Sequence, residues 1–563
     1  MKRNNYFVET LVAFVALFSL VSCQKDGIGK VLFTATIESP TQQGKTAISN
    51  TGVMTWLTGD RIAVYDGKGG GTPCILSATP TGSGKTADFS LVSGEKPKGG
   101  AYYAIYPADI ARGYNTVCLP AEYTYDGSRF EAPMYAYSTN SQLVFKNLCS
   151  VVQLNLKASK TISSIVIATD LPITGEFSLN YNGGIPTMEA VSDNSGNMLT
   201  VNFGTTGVDC SSGQSFYVYL PIGDYDEMAI TFNASDGTYC TKSLQSDQTF
   251  YVTRNSLNPL TFDSPSFPAR PIGSKGGLFT INGNGDQVWF SKGNIQYQAS
   301  TGTWRFAEHQ WDYVGNASYG NVYANGVKCS NSDISSNYSG WIDLFGWGTS
   351  GWNSGADWYQ PWSTSKTSTG YCPGGSETSS LTGDYDEADW AYHNAISNGG
   401  NVAHLWRTLS DEEWGYIIGE HIMVSMNYKP SRTNASNLSG TGNINGVGGL
   451  IILPDNWTLP SGCRFTPGIS TKNDWTLNSY TLAQWAAMEA AGAVFLPAAG
   501  HRSDQLRGVS VLQVGEIGSY WLSTRYYGYH AYNIFFNSGD SFHPQDRINL
   551  GCGCSVRAVK KKD

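Results

Sequence analysis

A chain of 563 residues exceeds what one hydrophobic core organises and divides, on length, into two to four domains. Charged residues are only 14% and aromatic ones 13%, with 64 Gly, a profile that suits a β-rich extracellular protein and argues against a solvated helical one. The net charge of −9, with Lys560-Lys561-Lys562 as a solvated basic tail, excludes an electrostatic grip on nucleic acid.

In chain order, Lys2 and Arg3 precede a nearly uncharged stretch, Leu11 to Ser22, shorter than the about 20 apolar residues a spanning helix needs. A basic start, a short apolar centre and a small residue before the cut read as a secretory signal over 1–22. Cys23, directly after Leu20-Val21-Ser22, resembles the cysteine of a bacterial lipobox. That implies a lipidated first residue, with enough acyl chains to hold the protein on a membrane through lipid alone. Gln24-Lys-Asp26 resembles a short signal for the outer face.

Strands dominate the first half. Arg61 to Tyr65 alternates, Val152, Leu154 and Leu156 share one face, and Met228, Ile230 and Phe232 do likewise before the Asp236-Gly237 turn and Thr238-Tyr-Cys240. Composition shifts near residue 265. Trp56 is the only Trp before it, and all seven His follow it. Prolines 265, 268 and 271 stiffen the junction. The expected divisions are 23–150 and 151–264 as two β lobes, 265–275 as linker, and 276–563 as an α+β domain.

In that last domain, Leu278–Ile281 and Gln287–Phe290 read as strands. Asp384 to Asn398 reads as a helix with Ala388, Ala391 and Ala395 on one stripe. Ser410-Asp-Glu-Glu413 is a capping-box signature, and Thr481 to Ala491 forms a third helix ended by Gly492. Ala493–Leu496, the pair Ser519–Ser523 and Ala531–Phe536, and Ser555–Val559 complete the strands. Loops are expected at about 313–340, 348–383 and 425–446. Ten cysteines besides Cys23 have irregular spacing without a C-x-x-C pair, so zinc chemistry has no support, while bridges and buried thiols both remain open.

Trp56-x-x-Gly-Asp60-x-Ile62, Tyr103-Ala-x-Tyr-Pro107, Leu119-Pro120, Ala132-Pro-Met134, Phe145 to Val152, Leu171 to Phe177, Phe216 to Pro221 and Arg254-Asn255 run in one order. As a set they resemble the fimbrillin-like proteins of Bacteroides-type bacteria over about 25–262. The resemblance implies two transthyretin-like β-sandwich lobes, export as a lipoprotein to the outer membrane, and assembly with other pilus subunits by strand exchange. In such relatives a protease trims an N-terminal strand after a basic residue. Lys45 is the candidate here, a plain loop lysine being the other reading.

Phe290-Ser-x-Gly-Asn294, Trp304-Arg-Phe-Ala307, Phe345-Gly-Trp347, Asp389-Trp390, Trp406-Arg-Thr-Leu409, Gly492 to Pro497, Gly500-x-Arg502, Tyr520 to Thr524 and Ser555-Val-Arg557 form a second ordered set. It resembles the Bacteroides and Fibrobacter paralogous domains related to C-type lectins and formylglycine-generating enzymes. The catalytic relatives use a wider cysteine pair than Cys552-Gly-Cys554, so no catalytic residue is assigned and the chain is read as no enzyme. His501 with Arg502 and Asp504, and His530 with His543, lack metal-ligand spacing; Asp384, Asp386, Glu387 and Asp389 are explained by a helix start. No metal or cofactor is expected.

Lectin-like sites set aromatic faces against sugar rings, with amides and carboxylates reading hydroxyls. Trp352, Asn353, Asp357, Trp358, Tyr359 and Trp362 have that composition, and Arg525, Tyr526 and Tyr527 open a second candidate segment ending at His530. The alternative is that these rings pin long loops onto the core. Neither Glu-Pro-Asn nor Gln-Pro-Asp, the calcium-dependent sugar motif, occurs in the chain. The reading is a pilus tip or accessory adhesin for a host, bacterial or dietary glycan or protein, or else a non-pilus glycan-binding lipoprotein for nutrient capture.

Overall fold

The computed structural model describes residues 31–38, 55–67, 71–125, 131–181, 184–244, 248–314, 321–324, 327–330, 334–353, 359–364, 371–373, 379–419, 430–470, 472, 474–503, 510–539 and 542–562. Cys23, Lys45, Asp357, Trp358 and Asp504 lie outside them. No helix among the described residues is long and apolar enough to cross a membrane. The N-terminal region is mostly β and the C-terminal region α+β.

The chain forms two compact units. The first holds the described residues of 31–38, 55–114 and 135–146. Seven strands close into a barrel in the order Val31–Ile37, Gln142–Asn147, Met134–Ser138, Tyr102–Tyr106, Arg61–Asp66, Cys74–Thr81 and Thr86–Ser93. Period-2 alternation buries Phe33, Ala35 and Ile37 of the first strand, which is antiparallel to Thr86–Ser93 and parallel to Gln142–Asn147. Trp56 centres this core, edge-on to Phe89, Tyr106 and Phe145 at 5.1–5.3 Å. Its Trp-x-x-Gly-Asp phrase is a turn in which Gly59 takes φ +89 and Asp60 Oδ2 accepts the Leu57 N–H at 2.8 Å.

The second unit contains the described residues of 115–134 and 147–562. Pairing crosses the residue-150 division, because Glu122–Thr124 runs parallel to Met198–Asn202 and Thr116–Leu119 pairs with Thr174–Tyr181. Two sheets form a sandwich. One has the order Gln214–Pro221, Cys149–Lys157, Leu257–Asp263; the other runs Tyr239–Ser243, Met228–Ala234, Thr161–Thr169, Met198–Asn202, Glu122–Thr124. Val152, Leu154 and Leu156 meet Ile165, Ile167, Val201, Ile230 and Phe232 between them.

Beyond residue 273, Ser274–Thr280, Gln287–Ser291 and Val559–Lys561 make one sheet, so the last strand returns to the start of the region. Its aromatic core explains the Trp enrichment. Trp347, Trp390, Trp406 and Trp521 are buried, and their Nε1–H groups donate to Leu522 O, Thr349 Oγ1, Gly399 O and Phe345 O at 2.6–3.1 Å. Arg502 and Arg557, both about 1% exposed, are held by backbone carbonyls of Leu344 and Ser363, and of Ser291 and Phe495.

The described residues here form the α-helices α1 (Trp390–His393), α2 (Asp411–Ile418) and α3 (Leu482–Ala490). The expected helix over 384–398 is instead a 3-10 turn, Gly383–Ala388, and the four-residue α1. Asp389 is extended (φ −74, ψ 127) because its carboxylate caps Ala391 N and also accepts Thr408 N–H, and Asn394 is extended after it. The capping box before α2 forms as expected, with Ser410 and Glu413 exchanging hydrogen bonds. The expected loop at 313–340 contains a hairpin, Asn321–Ala324 with Val327–Ser330, and the one at 425–446 contains the first strand of another, Ser439–Ile444, which pairs with Val447–Ile452 just beyond it.

Helix α3 lies on the outer face of the second sandwich, against Tyr239–Ser243, Met228–Ala234 and Thr161–Thr169. Glu227 accepts from Thr481 Oγ1 (2.5 Å) and Gln484 Nε2 (2.6 Å) at its N-terminus. Near its other end, Lys275 Nζ meets Glu489 Oε2 at 3.0 Å, and the Tyr239 ring lies between Lys275 and Arg270, 3.8 Å from each. The second sandwich and the C-terminal region are therefore packed into one unit across 265–275.

Candidate ligand-binding site

Rings of the first candidate segment turn toward the core. Trp362 stacks on Tyr297 at 6.3 Å, and Trp352 packs on the same aromatic cluster, 5.0 Å from Tyr359. Tyr359 OH donates to Cys372 O (3.3 Å), its carbonyl accepts Gly351 N–H (2.8 Å), and buried Gln360 donates to Asn353 O (2.8 Å). Asn353 is exposed while the three rings are half-buried. This arrangement braces a long loop, since each half-buried ring gains apolar contact and the Tyr359 hydroxyl is bonded, although the buried Trp352 Nε1–H finds no acceptor among the described residues.

The second segment presents its rings outward. Strand Ile517–Arg525 turns through Gly528 (φ +63) into His530–Asn537, and the Tyr526 N–H to His530 O bond (3.0 Å) closes the tip. Tyr527 is 79% exposed and Tyr529 is 42% exposed. The base is stiff. Arg525 is buried and donates to Gly528 O, its backbone N–H donates to Ser380 Oγ at 3.1 Å, and Leu550 N–H holds Tyr529 O at 3.0 Å. Tyr526 is tied down by Arg547, which donates to its hydroxyl (2.7 Å) and lies 5.0 Å over its ring, with Tyr532 edge-on at 5.2 Å. So of the three residues singled out here, Tyr527 faces solvent, whereas Arg525 and Tyr526 support it. Tyr529 completes the tip; the Gly528 turn between two Tyr was its sequence signal. Arg547 carried none, because it comes from the neighbouring strand Phe542–Asn549.

Groups weighed for chemistry take structural roles. Cys554 is fully buried with Sγ 3.2 Å from Ser519 Oγ, and burial pushes its thiol well up, away from the reactive thiolate. Glu387 accepts from His393 Nδ1 (2.6 Å) and His404 Nε2 (2.9 Å), and these bonds hold its carboxyl below the ordinary value. Among the described residues no group of three or more His, Cys, Asp and Glu could hold a metal ion.

No family model matches the chain, and no curated protein matches it. Among solved structures it is similar to a candidate cell adhesion protein from Bacteroides fragilis, with 11% identity and a TM-score of 0.25 over 52% of this chain and 98% of that one. The tip fimbrial protein Mfa3 from Porphyromonas gingivalis, with C-terminal truncation, is similar at 11% identity and a TM-score of 0.21, covering 42% of this chain and 96% of its own. The minor pilin GBS52 of Streptococcus agalactiae is similar at 14% and 0.15, covering 42% and 100%. All three likenesses are distant.

Proposed function

We propose that this chain is a cell-surface adhesin, a pilus tip or accessory subunit, and not an enzyme. Acyl chains on Cys23 tether it to the outer membrane, transthyretin-like lobes dock it into a fibre, and a C-type-lectin-like region touches the target. The observation that carries the binding half is the hairpin tip, where Tyr527 and Tyr529 are held out on a braced base. Aromatic side chains on a stiff support give contact area at low entropic cost.

Assembly by strand exchange is supported by the place of Val31–Ile37. This first strand fills the barrel seam between Thr86–Ser93 and Gln142–Asn147. Its removal by a cut after Lys45 would bare two strand edges and the pockets of Phe33, Ala35 and Ile37, which a donor strand satisfies. Glycan, matrix and cell-surface panels test the binding half with the mature chain and its Tyr527→Ala, Tyr529→Ala variant. Binding that the double variant loses supports the reading, and a chain that binds nothing sinks it. Pull-down of pilus subunits after protease treatment tests the other half, with a strand-exchanged partner expected.

A further inference from the structure

Beside α3, the outer face of the second sandwich opens into a cleft of about 460 Å³, the size of a small-molecule site. Strand alternation builds its floor. Ile165, Ile167, Leu199, Val201, Ile230 and Phe232 point into the core, so Ser164, Thr200, Asn202, Thr231 and Asn233 face the cleft. The result is a floor on which hydroxyls and amides, groups that both donate and accept, alternate with Val166, Ala168, Met198 and Ala229. Asn233 Nδ2 already donates to Ser164 Oγ at 3.0 Å, which orients that pair.

The wall is aromatic. Trp311 lines the cleft with its ring stacked on His309, 4.7 Å apart and 5° from parallel. Trp485 of α3 also lines it, is 1% exposed, and its Nε1–H has no acceptor among the described residues. A buried donor left without a partner is costly, and a ligand hydroxyl would relieve that cost. Two ion pairs line the cleft, Lys292 with Glu308 at 2.5 Å and Lys275 with Glu489 at 3.0 Å, and Glu122, which accepts from the neutral Asn202 amide, is left as a carboxylate without a cation among the described residues. Nothing there asks for an anionic ligand.

We infer that this cleft is a binding site for a neutral saccharide, its hydroxyls read by the Ser, Thr and Asn floor and its apolar ring face laid on Trp311. The site is separate from the hairpin tip and does not rest on the adhesin reading.

Isothermal titration of the mature chain with maltotriose, cellotriose, xylotriose and chitotriose, and with trigalacturonate as the charged counterpart, tests this. At least one neutral trisaccharide binds, and trigalacturonate binds more weakly. Thr200→Trp, which fills the floor, and Trp311→Ala, which removes the platform, each lower affinity about tenfold or more, while Trp311→Phe restores most of it. Circular dichroism checks that the variants fold, and saturation-transfer NMR on the unaltered chain reports which ligand protons lie against aromatic rings. The inference is overturned if no neutral trisaccharide binds at millimolar concentration or if the charged one binds better. It is overturned equally if binding survives both Thr200→Trp and Trp311→Ala but is lost in Tyr527→Ala, which would put the sugar on the hairpin.

Discussion

Glu489→Ala probes how the second sandwich is held to the C-terminal region. Lys275 and Glu489 meet at 3.0 Å with side chains 18% and 15% exposed, and Gln310 Nε2 donates to the other carboxylate oxygen at 2.9 Å. Removing the carboxylate leaves a mostly buried ammonium beside Arg270, for which the cost in buried pairs is ~3–5 kcal/mol. Residual exposure lets Lys275 hydrate in part, so a loss of ~2–4 kcal/mol is expected for this variant. Replacing both, Lys275→Met with Glu489→Leu, removes the stranded charge and should return stability to within about 1 kcal/mol of the parent.

Urea unfolding followed by Trp fluorescence reads the right transition, since only Trp56 among the 16 Trp precedes residue 265. The pH dependence follows from the same pair. Burial pushes the Glu489 carboxyl up, but Lys275 and Gln310 outweigh it and hold it below its ordinary value. Burial pulls the Lys275 amine down, but Glu489 and Tyr239 outweigh that and hold it above its own. A lowered acid stabilises above its unfolded pKa and loses that as pH falls; a raised amine stabilises below its unfolded pKa and loses that as pH rises. The pair therefore contributes fully from about pH 5 to about pH 10. A Glu489→Ala loss under about 1 kcal/mol, or a double variant as unstable as the single, refutes the account.

Asp343 is 2% exposed, and burial pushes its carboxyl up to about 7 despite the Val314 N–H bond at 2.7 Å. Stability should fall as pH rises from about 4 to about 7, and Asp343→Asn should remove that slope and gain ~2–4 kcal/mol at pH 8; an unchanged slope in urea titrations would rule this out. Phe33→Ala should cost the barrel ~3–5 kcal/mol, seen as faster hydrogen exchange in Thr86–Ser93 and Gln142–Asn147 with the Ile165 strand unaffected. Ser410→Ala removes the α2 cap and should cost ~1 kcal/mol in the same urea assay. Cys554 should stay unlabelled by a thiol reagent in the native protein and react once urea unfolds it.

Local pattern sufficed wherever neighbours in sequence are also partners in space. The Met228–Ala234 and Tyr239–Ser243 hairpin follows from alternation and the Asp236-Gly237 turn, and α2 and α3 follow from their stripes and caps. It failed where a distant group overrides the pattern. The alanine stripe over 384–398 promised a helix, but Asp389 is spent on Thr408. The Gly-rich stretch to about 446 reads as loop, yet Ser439–Ile444 is a strand paired with Val447–Ile452, where Gly448 and Gly449 let the Trp475 and Phe495 rings lie directly on the backbone.

The candidate site divides in the same way. Residue order alone marked Trp352 to Trp362 and Arg525 to His530 as aromatic segments. Only the fold decides that Trp352, Tyr359 and Trp362 turn inward while Tyr527 and Tyr529 turn out. Which ring face meets water depends on what packs behind it, and that packing comes from residues dozens to hundreds of positions away.

By itself, then, the amino-acid order determined a β-rich front, an α+β rear rich in Trp, and the positions of the main turns and caps. The tertiary structure decided that the second sandwich and the rear share one packed unit, with a cleft beside α3. The reason is physical: alternation and capping are properties of a few adjacent residues, whereas the Glu227, Lys275 and Glu489 bonds join elements up to 257 positions apart.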